Sequence, residues 1–383
     1  MNKICFFTLF AFLIGLNAGP AFAEAASRAP ASYTPAQLEK LWRPVGHKQR
    51  KQVTSNAFHF WAWSRNEAEG YLGAYLKPQG VIIGDPHPRN VFDYRTGRGS
   101  AKLAVADIDD GGRGPLFLDF ARFVTYLEAS DIDLKVGKIF DAYLSGLKQE
   151  EAPGSALLSE AEEKSAKDIE ASHLRYVGKN TFEGKFLYAQ LRMAPRADLS
   201  LRHQREIEKL EPLLLKQTGL SKVWDIGFRV NDSGSSAGMA RYWFLLGNAG
   251  APTRILEAKE LAPRAAVDYY APQAEDSARV AEVLKAYSDK GFDDSLFGVV
   301  KAGSNYWVRP RKYQALKVDD EDLKDSELRE FALGVAHWMG AMQARQAGGA
   351  KLLGQIEEDP KAAKKAMEEL VRAYLKEIKR LPE

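Results

Sequence analysis

The sequence predicts an α+β fold in which a small antiparallel sheet is set among more numerous helices. Apolar residues at helical spacing mark both sides of the middle of the chain, among them residues 118–129 and a C-terminal stretch in which Met367, Leu370, Val371, Tyr374, Leu375 and Ile378 share one face. Between them lie aromatic and β-branched runs, residues 223–230, 239–246 and 254–261, separated by turn-rich segments. The composition, 45% hydrophobic and 27% charged over 383 residues, is that of a globular chain with a large core, as one two-lobed domain or two small ones.

From the N-terminus, Met1-Asn2-Lys3 leads into an apolar run over residues 4–16 and then Ala21-Phe22-Ala23. A basic start, a short hydrophobic stretch and a small-x-small site together predict a cleavable signal peptide over residues 1–23. The run is shorter than the roughly 20 residues that a spanning helix needs. Residues 24–383 are then expected as a periplasmic or secreted protein that meets no membrane after cleavage. The only cysteine, Cys5, falls in this leader, so neither disulfides nor thiolate chemistry are expected of the mature chain. Lys plus Arg exceed Asp plus Glu by only 54 to 51, which gives no strong pull toward nucleic acid or acidic membranes. The expected substrate is a small molecule or another protein.

Further elements follow in order. Residues 35–42 and the aromatic-rich 56–76 read as helices, with Phe58, Phe60, Trp61 and Trp63 as core. Gly80-Val-Ile-Ile-Gly84 reads as a buried strand feeding a loop, and residues 101–108 as a second strand. Helical spacing covers 138–147, and a charged helix is expected over 159–170. Residues 223–230 and 239–246 form a hairpin, 254–261 a third strand, 274–287 a helix, 305–309 a short strand and 326–345 another helix.

Three segments carry chemistry. In Gly84-Asp85-Pro86-His87-Pro88-Arg89-Asn90 an acid and an amide stand five residues apart in a loop that can aim both at one point; a polar turn that caps backbone groups is the plainer reading. In Leu103-Ala-Val-Ala-Asp107-Ile-Asp109-Asp110 an apolar strand ends in three acids, which repel one another unless a cation neutralises them, a solvated turn being the alternative. In Gly114-Pro115-Leu-Phe-Leu-Asp119-Phe-Ala-Arg122 one Asp sits at an apolar helix start and needs donors, either as a brace for the Asp85 loop or as a helix cap.

The first of these resembles the H-G-D-x-H-x-x-N catalytic loop of aminoglycoside and choline phosphotransferases, although the leading His has no counterpart here. Asp107-Ile-Asp109 resembles their metal-binding segment, and Asp119 matches the acid that follows. The block from Gly84 to Arg122 is more closely similar to the bacterial family called domain of unknown function 2252. The resemblance implies a protein-kinase-like two-lobed fold with a small antiparallel sheet lobe and a larger helical lobe. It implies Asp85 as catalytic base, Asn90, Asp107 and Asp109 as magnesium ligands, and His87 and Asp119 as structural support.

The phosphate-gripping half of such a site has a glycine-rich hairpin, a strand lysine and a helix glutamate. Gly234, Ser235, Ser236 and Gly238 in the hairpin turn, Lys259 on the next strand and Glu282 on the following helix supply them in that order. Because this half follows the catalytic loop, the fold would be circularly permuted, with residues 79–217 carrying the catalytic loop, 220–310 the sheet and 325–383 the helical remainder. The implied cofactors are Mg2+ and ATP or another nucleotide. The implied function is phosphoryl transfer to a hydroxyl, with an exported non-catalytic module that binds a ligand or protein partner as the alternative.

Overall fold

The computed structural model describes residues 53, 57–95, 101–105, 107–108, 110–130, 132–230, 239–261, 270, 274–288, 296–313 and 324–380. The expected leader, the helix over 35–42, Asp109 and the turn with Gly234, Ser235, Ser236 and Gly238 lie outside them. The described chain is α+β, with a helical body and antiparallel sheets.

The helical body is assembled around α2 (Leu116–Ala129), in which every residue but Glu128 is buried. A helix apolar on all sides must be covered on all sides. Its cover includes α1 (Ala57–Leu72), α3 (Val136–Leu147), α9 (Asp325–Ala344), α10 (Ala347–Glu358) and α11 (Pro360–Ile378), which share one core with Phe60, Trp61, Phe117, Phe120, Tyr143, Phe331, Met367 and Tyr374. The amphipathic stripe of α11 faces inward: Met367, Leu370, Val371, Tyr374 and Ile378 are buried.

Two small antiparallel ladders sit against this body. Strand β1 (Gln79–Ile82) pairs with β4 (Gly112–Pro115), and β2 (Val91–Arg95) pairs with β3 (Ala101–Val105). The Gln346 amide completes β1, accepting from the Val81 N–H at 2.6 Å and donating to the Val81 carbonyl at 3.1 Å. A side chain thereby supplies the backbone pairing that an edge strand lacks.

A further short ladder pairs β5 (Thr181–Phe182) with β6 (Lys185–Phe186), and the short helix α6 (Tyr188–Leu191) follows it. The main sheet has six strands in the order β11-β12-β10-β9-β8-β7, antiparallel throughout. They are β7 (Ala194–Pro195), β8 (Lys222–Val230), β9 (Ala240–Gly247), β10 (Pro252–Glu260), β11 (Gly298–Lys301) and β12 (Asn305–Pro310), and α8 (Asp276–Ala286) lies between β10 and β11 in sequence. Alternation assigns the faces. Ile226, Tyr242, Phe244, Leu256, Ala258, Tyr306 and Val308 turn to one side and pack with Ile207, Leu210 and Leu214 of α7 (Leu201–Thr218). Trp243, Leu245 and Ile255 turn to the other, where Val177 of α5 (Ala166–Asn180) meets them, while Trp307 joins the core of the helical body.

The single charged helix expected over 159–170 is two helices, α4 (Ala156–Glu163) and α5. Ser165 starts the second as N-cap, accepting from the Asp168 N–H while the Asp168 carboxylate accepts from the Ser165 N–H, a capping box that ends the continuity of spacing. Strand β3 stops at Val105, so Asp107 stands beyond the ladder end.

Candidate functional site

The loop after β1 is held in place by the two buried ionic residues of α2, Asp119 and Arg122. Asp119, fully buried, accepts from the N–H groups of Ile83 at 3.0 Å and Gly84 at 2.9 Å. Burial pushes its carboxyl up to about 7, and those two N–H donors limit the rise. Arg122, three residues on and 1% exposed, donates from Nη2 to Asp85 Oδ1 at 2.8 Å and to the Val53 carbonyl at 2.6 Å. Sequence reasoning gave Arg122 no role. Its signal was there, since two charges three apart on an otherwise apolar helix lie on one face and serve one place.

Gly84 closes the loop in a conformation that only glycine adopts without strain, with φ +84°, and a Cβ there would stand 1.9 Å from the Asp110 carbonyl oxygen. Trp61 Nε1 donates to the Gly84 carbonyl at 2.6 Å. The buried imidazole of His87 stacks on Tyr126 with ring centroids 5.3 Å apart, and its Nε2 stands 3.6 Å from Asp85 Oδ2. Asn90 Nδ2 donates to the Asp85 carbonyl at 3.0 Å, which leaves its amide oxygen available as a ligand.

Register then brings the two acidic motifs together. Val91 pairs with Val105, so Asn90 and Asp107 lie at the same end of the β2–β3 ladder. From the main sheet, Lys259 on β10 reaches the same point, its Nζ 2.8 Å from Asp107 Oδ1, with the Lys259 side chain only 2% exposed. Burial alone would push the Asp107 carboxyl up, but the Lys259 ammonium, with Arg309 and Arg241 behind it, outweighs burial and holds it well below the usual carboxylate range. Asp107 is therefore a carboxylate at neutral pH.

Glu282 on α8 pairs with Arg113 of β4, the Arg113 Nε lying 3.2 Å from Glu282 Oε2, while Lys259 goes to Asp107. One turn earlier on α8 the buried Arg279 donates to the carbonyls of Ile108 and Gly111, which ties this helix to the acidic turn. Asn90 thus pairs with the Asp85 backbone and Lys259 with Asp107, Asn90 and Asp107 share one end of the β2–β3 ladder, and Glu282 belongs to a neighbouring group. Asp109 and the glycine-rich turn lie outside the described residues.

Behind Lys259 is a cluster that no sequence motif announces. Glu257, 1% exposed, accepts from Arg241 Nη1 at 3.3 Å, Trp243 Nε1 at 3.2 Å, Arg309 Nε at 3.0 Å and Arg311 Nη1 at 3.2 Å. These residues come from three strands and the turn that follows β12, and only the sheet register brings them together.

Among the described residues no group of three or more His, Cys, Asp or Glu converges as a metal cage. Magnesium does not need one, because it ordinarily takes one or two carboxylates and completes its shell with water and substrate phosphates. The Asp107 carboxylate and the Asn90 amide oxygen are hard oxygen donors of this kind, so the residues present fit such an ion. An open concavity of ≈ 440 Å³, lined in part by Lys185, Tyr188, Arg196 and Asp225, lies at the β7–β8 edge of the sheet and includes none of the expected site residues. No helix among the described residues is long and apolar enough to cross a membrane.

The fold and this group of residues define an α+β protein with a polar junction between a helical body and an antiparallel sheet. The family model described as an uncharacterized protein conserved in bacteria (DUF2252) matches residues 147–380, more than half of the chain, and the chain belongs to that family. The matched stretch holds the main sheet, Lys259 and Glu257, whereas Asp85, Asn90 and Asp107 precede it. No curated protein and no solved structure matches the chain.

Proposed function

We propose that the chain is an exported, magnesium-dependent phosphotransferase-like protein with a circularly permuted, kinase-like two-lobed fold, moving a nucleotide phosphoryl group to a hydroxyl acceptor. The observation that carries this reading is the Lys259–Asp107 contact, which joins a strand lysine from the sheet to the acid beside the Asp85 loop. The succession of β8–β9 hairpin, lysine strand β10, acid-bearing α8 and strand β12 also supports it. So does the resemblance of Gly84–Asn90 to phosphotransferase catalytic loops.

In this reading Asn90 and Asp107 would hold magnesium, which would supply charge neutralisation for the phosphates, and Lys259 would turn from Asp107 to the phosphate oxygens. Asp85, fixed by Arg122, orients the acceptor hydroxyl and takes its proton. The new P–O bond forms to the acceptor oxygen, the bridging P–O bond breaks, and its electron pair stays on the departing diphosphate. Most of the acceleration comes from positioning and charge neutralisation.

The placement of Glu282 on Arg113 favours the second reading, an exported module that binds without turnover, since active kinase-like sites pair the strand lysine with the helix glutamate. Calorimetric titration of nucleotide with and without magnesium, on the wild type and on Asp107→Asn, tests whether a metal-nucleotide site exists at all. Binding is expected to need magnesium and to weaken in the variant by about ten- to a hundred-fold, corresponding to a lost charge-assisted contact of roughly 1.5 to 3 kcal/mol. Equal, magnesium-independent binding in both proteins excludes the site.

A further inference from the structure

Three cations stand side by side across the main sheet. On adjacent strands Arg229 of β8 is directly opposite Arg241 of β9, and Arg241 is directly opposite Lys259 of β10. All three point to the side of the sheet away from α7, because their sequence neighbours Phe228, Tyr242 and Ala258 serve the core under that helix. Strands lie about 4.8 Å apart, so the row spans about 10 Å. Like charges directly opposite one another disfavour the pairing that aligns them. A row of this kind needs anions beside it, and Asp107 and Glu257 supply them for Lys259 and Arg241.

The row is anchored at one end and open at the other. Lys259 is buried against Asp107, and Arg241 is buried with Nη1 on Glu257. The side chain of Arg229 is exposed to solvent. Glu257 also holds Arg309 and Arg311, so the guanidinium heads behind the row keep fixed positions instead of sampling rotamers. Donors held in place in this way lose less freedom when they take up a ligand. The row leads from solvent at Arg229 to Asp107, the acid proposed above to carry the metal.

We propose that Arg229, Arg241 and Lys259 form one cation row that receives a chain of linked phosphoryl groups, extending the phosphate grip from a single lysine to three strands. This assignment rests on the phosphoryl-transfer reading of the Asp85–Asp107 site. A single phosphate would engage one end of a row about 10 Å long, whereas a chain of several phosphoryl groups can lie along it. Recognition along the phosphates places little weight on a base or sugar, so a nucleoside triphosphate and an inorganic polyphosphate share the chemistry that the row reads. For a protein expected outside the cytoplasm, either could serve as donor.

The test is calorimetric titration of ATP and, separately, inorganic tripolyphosphate, both with magnesium, into the wild type, Arg229→Gln, Arg229→Lys and Arg205→Gln. Arg229 is exposed, so its variants should fold, and Arg205 is an exposed arginine on α7 that serves as a control of equal charge change. The row predicts that tripolyphosphate binds the wild type, that Arg229→Gln weakens it by about tenfold, that Arg229→Lys recovers part of the loss, and that Arg205→Gln leaves it unchanged. Tripolyphosphate binding without ATP binding, still sensitive to Arg229, would support the row and remove the nucleotide from the donor role. Binding of ATP or tripolyphosphate that is indifferent to Arg229 would overturn the row and leave the phosphotransferase reading standing. A wild type that binds neither would overturn both.

Discussion

Replacing Asp85 by Asn is expected to lower the rate at which the protein transfers the terminal phosphoryl group of a nucleotide by about 100- to 10,000-fold, the usual worth of a positioned general base. The acceptor need not be known to observe this, because slow transfer to water can be followed by phosphate release. Asp85 Oδ1 accepts from Arg122 Nη2 at 2.8 Å and the Asp85 backbone carbonyl accepts from Asn90 Nδ2, so the carboxylate is fixed in direction before any substrate arrives. The amide side chain keeps the size and loses the capacity to take a proton. It also leaves the buried Arg122 guanidinium facing a neutral group, so folded content must be checked by circular dichroism before rates are compared. Magnesium-dependent nucleotide binding should persist in the variant, since Asn90, Asp107 and Lys259 are untouched. Turnover equal to that of the wild type would remove Asp85 from the chemistry.

The largest loss of stability is expected from Glu257→Gln. One buried carboxylate accepts from three guanidinium groups and the Trp243 indole, and the substitution leaves Arg241, Arg309 and Arg311 packed around a neutral amide. Breaking a buried ionic cluster from one side typically costs about 3–5 kcal/mol. Denaturant unfolding should therefore show a much lower midpoint with an unchanged slope. A sign follows for pH. Burial alone would push the Glu257 carboxyl up, but Arg311, Arg309 and Arg241 reverse this and hold it well below the usual carboxylate range. A carboxyl whose folded value is depressed contributes stability above its unfolded value of about 4.3, and that contribution fades as pH falls toward the folded value. The gap between the wild type and the Gln variant should thus be full at pH 7 and shrink below about pH 4. A gap under about 1 kcal/mol at pH 7 would show that the arginines are held by something other than Glu257.

The elements legible in the sequence were those with clean local periodicity. The apolar and aromatic run over residues 239–246 marks β9, the run over 254–261 marks β10, and the stripe from Met367 to Ile378 marks α11, because each pattern is written within a few residues of itself. Strand β2 escaped notice because its pairing with β3 is what makes it a strand. Strand β11 was missed for the same reason, being a four-residue edge that depends on β12. The candidate acids Asp85 and Asp107 and the amide Asn90 were readable as candidates, because they sit in short motifs at strand ends. Lys259 was read as part of the same site from its order in the chain, but its pairing with Asp107, 152 residues away, and the role of Arg122, 37 residues from Asp85, are encoded in no local pattern. The cluster on Glu257 was hidden for a further reason. Arg241 and Arg309, taken alone, read as charges on the solvent side of a strand and Arg311 as a turn residue, and only the register across β9, β10 and β12 brings them to one carboxylate.

The decisive measurement is a crystal structure of the protein grown with magnesium and a non-hydrolysable ATP analogue. Magnesium is expected on Asp107 and Asn90, with the terminal phosphate facing Asp85 and the Lys259 ammonium moved from Asp107 to a phosphate oxygen. A nucleotide bound elsewhere, or a Lys259 that stays on Asp107 with no metal beside it at saturating ligand, would contradict the phosphotransferase reading.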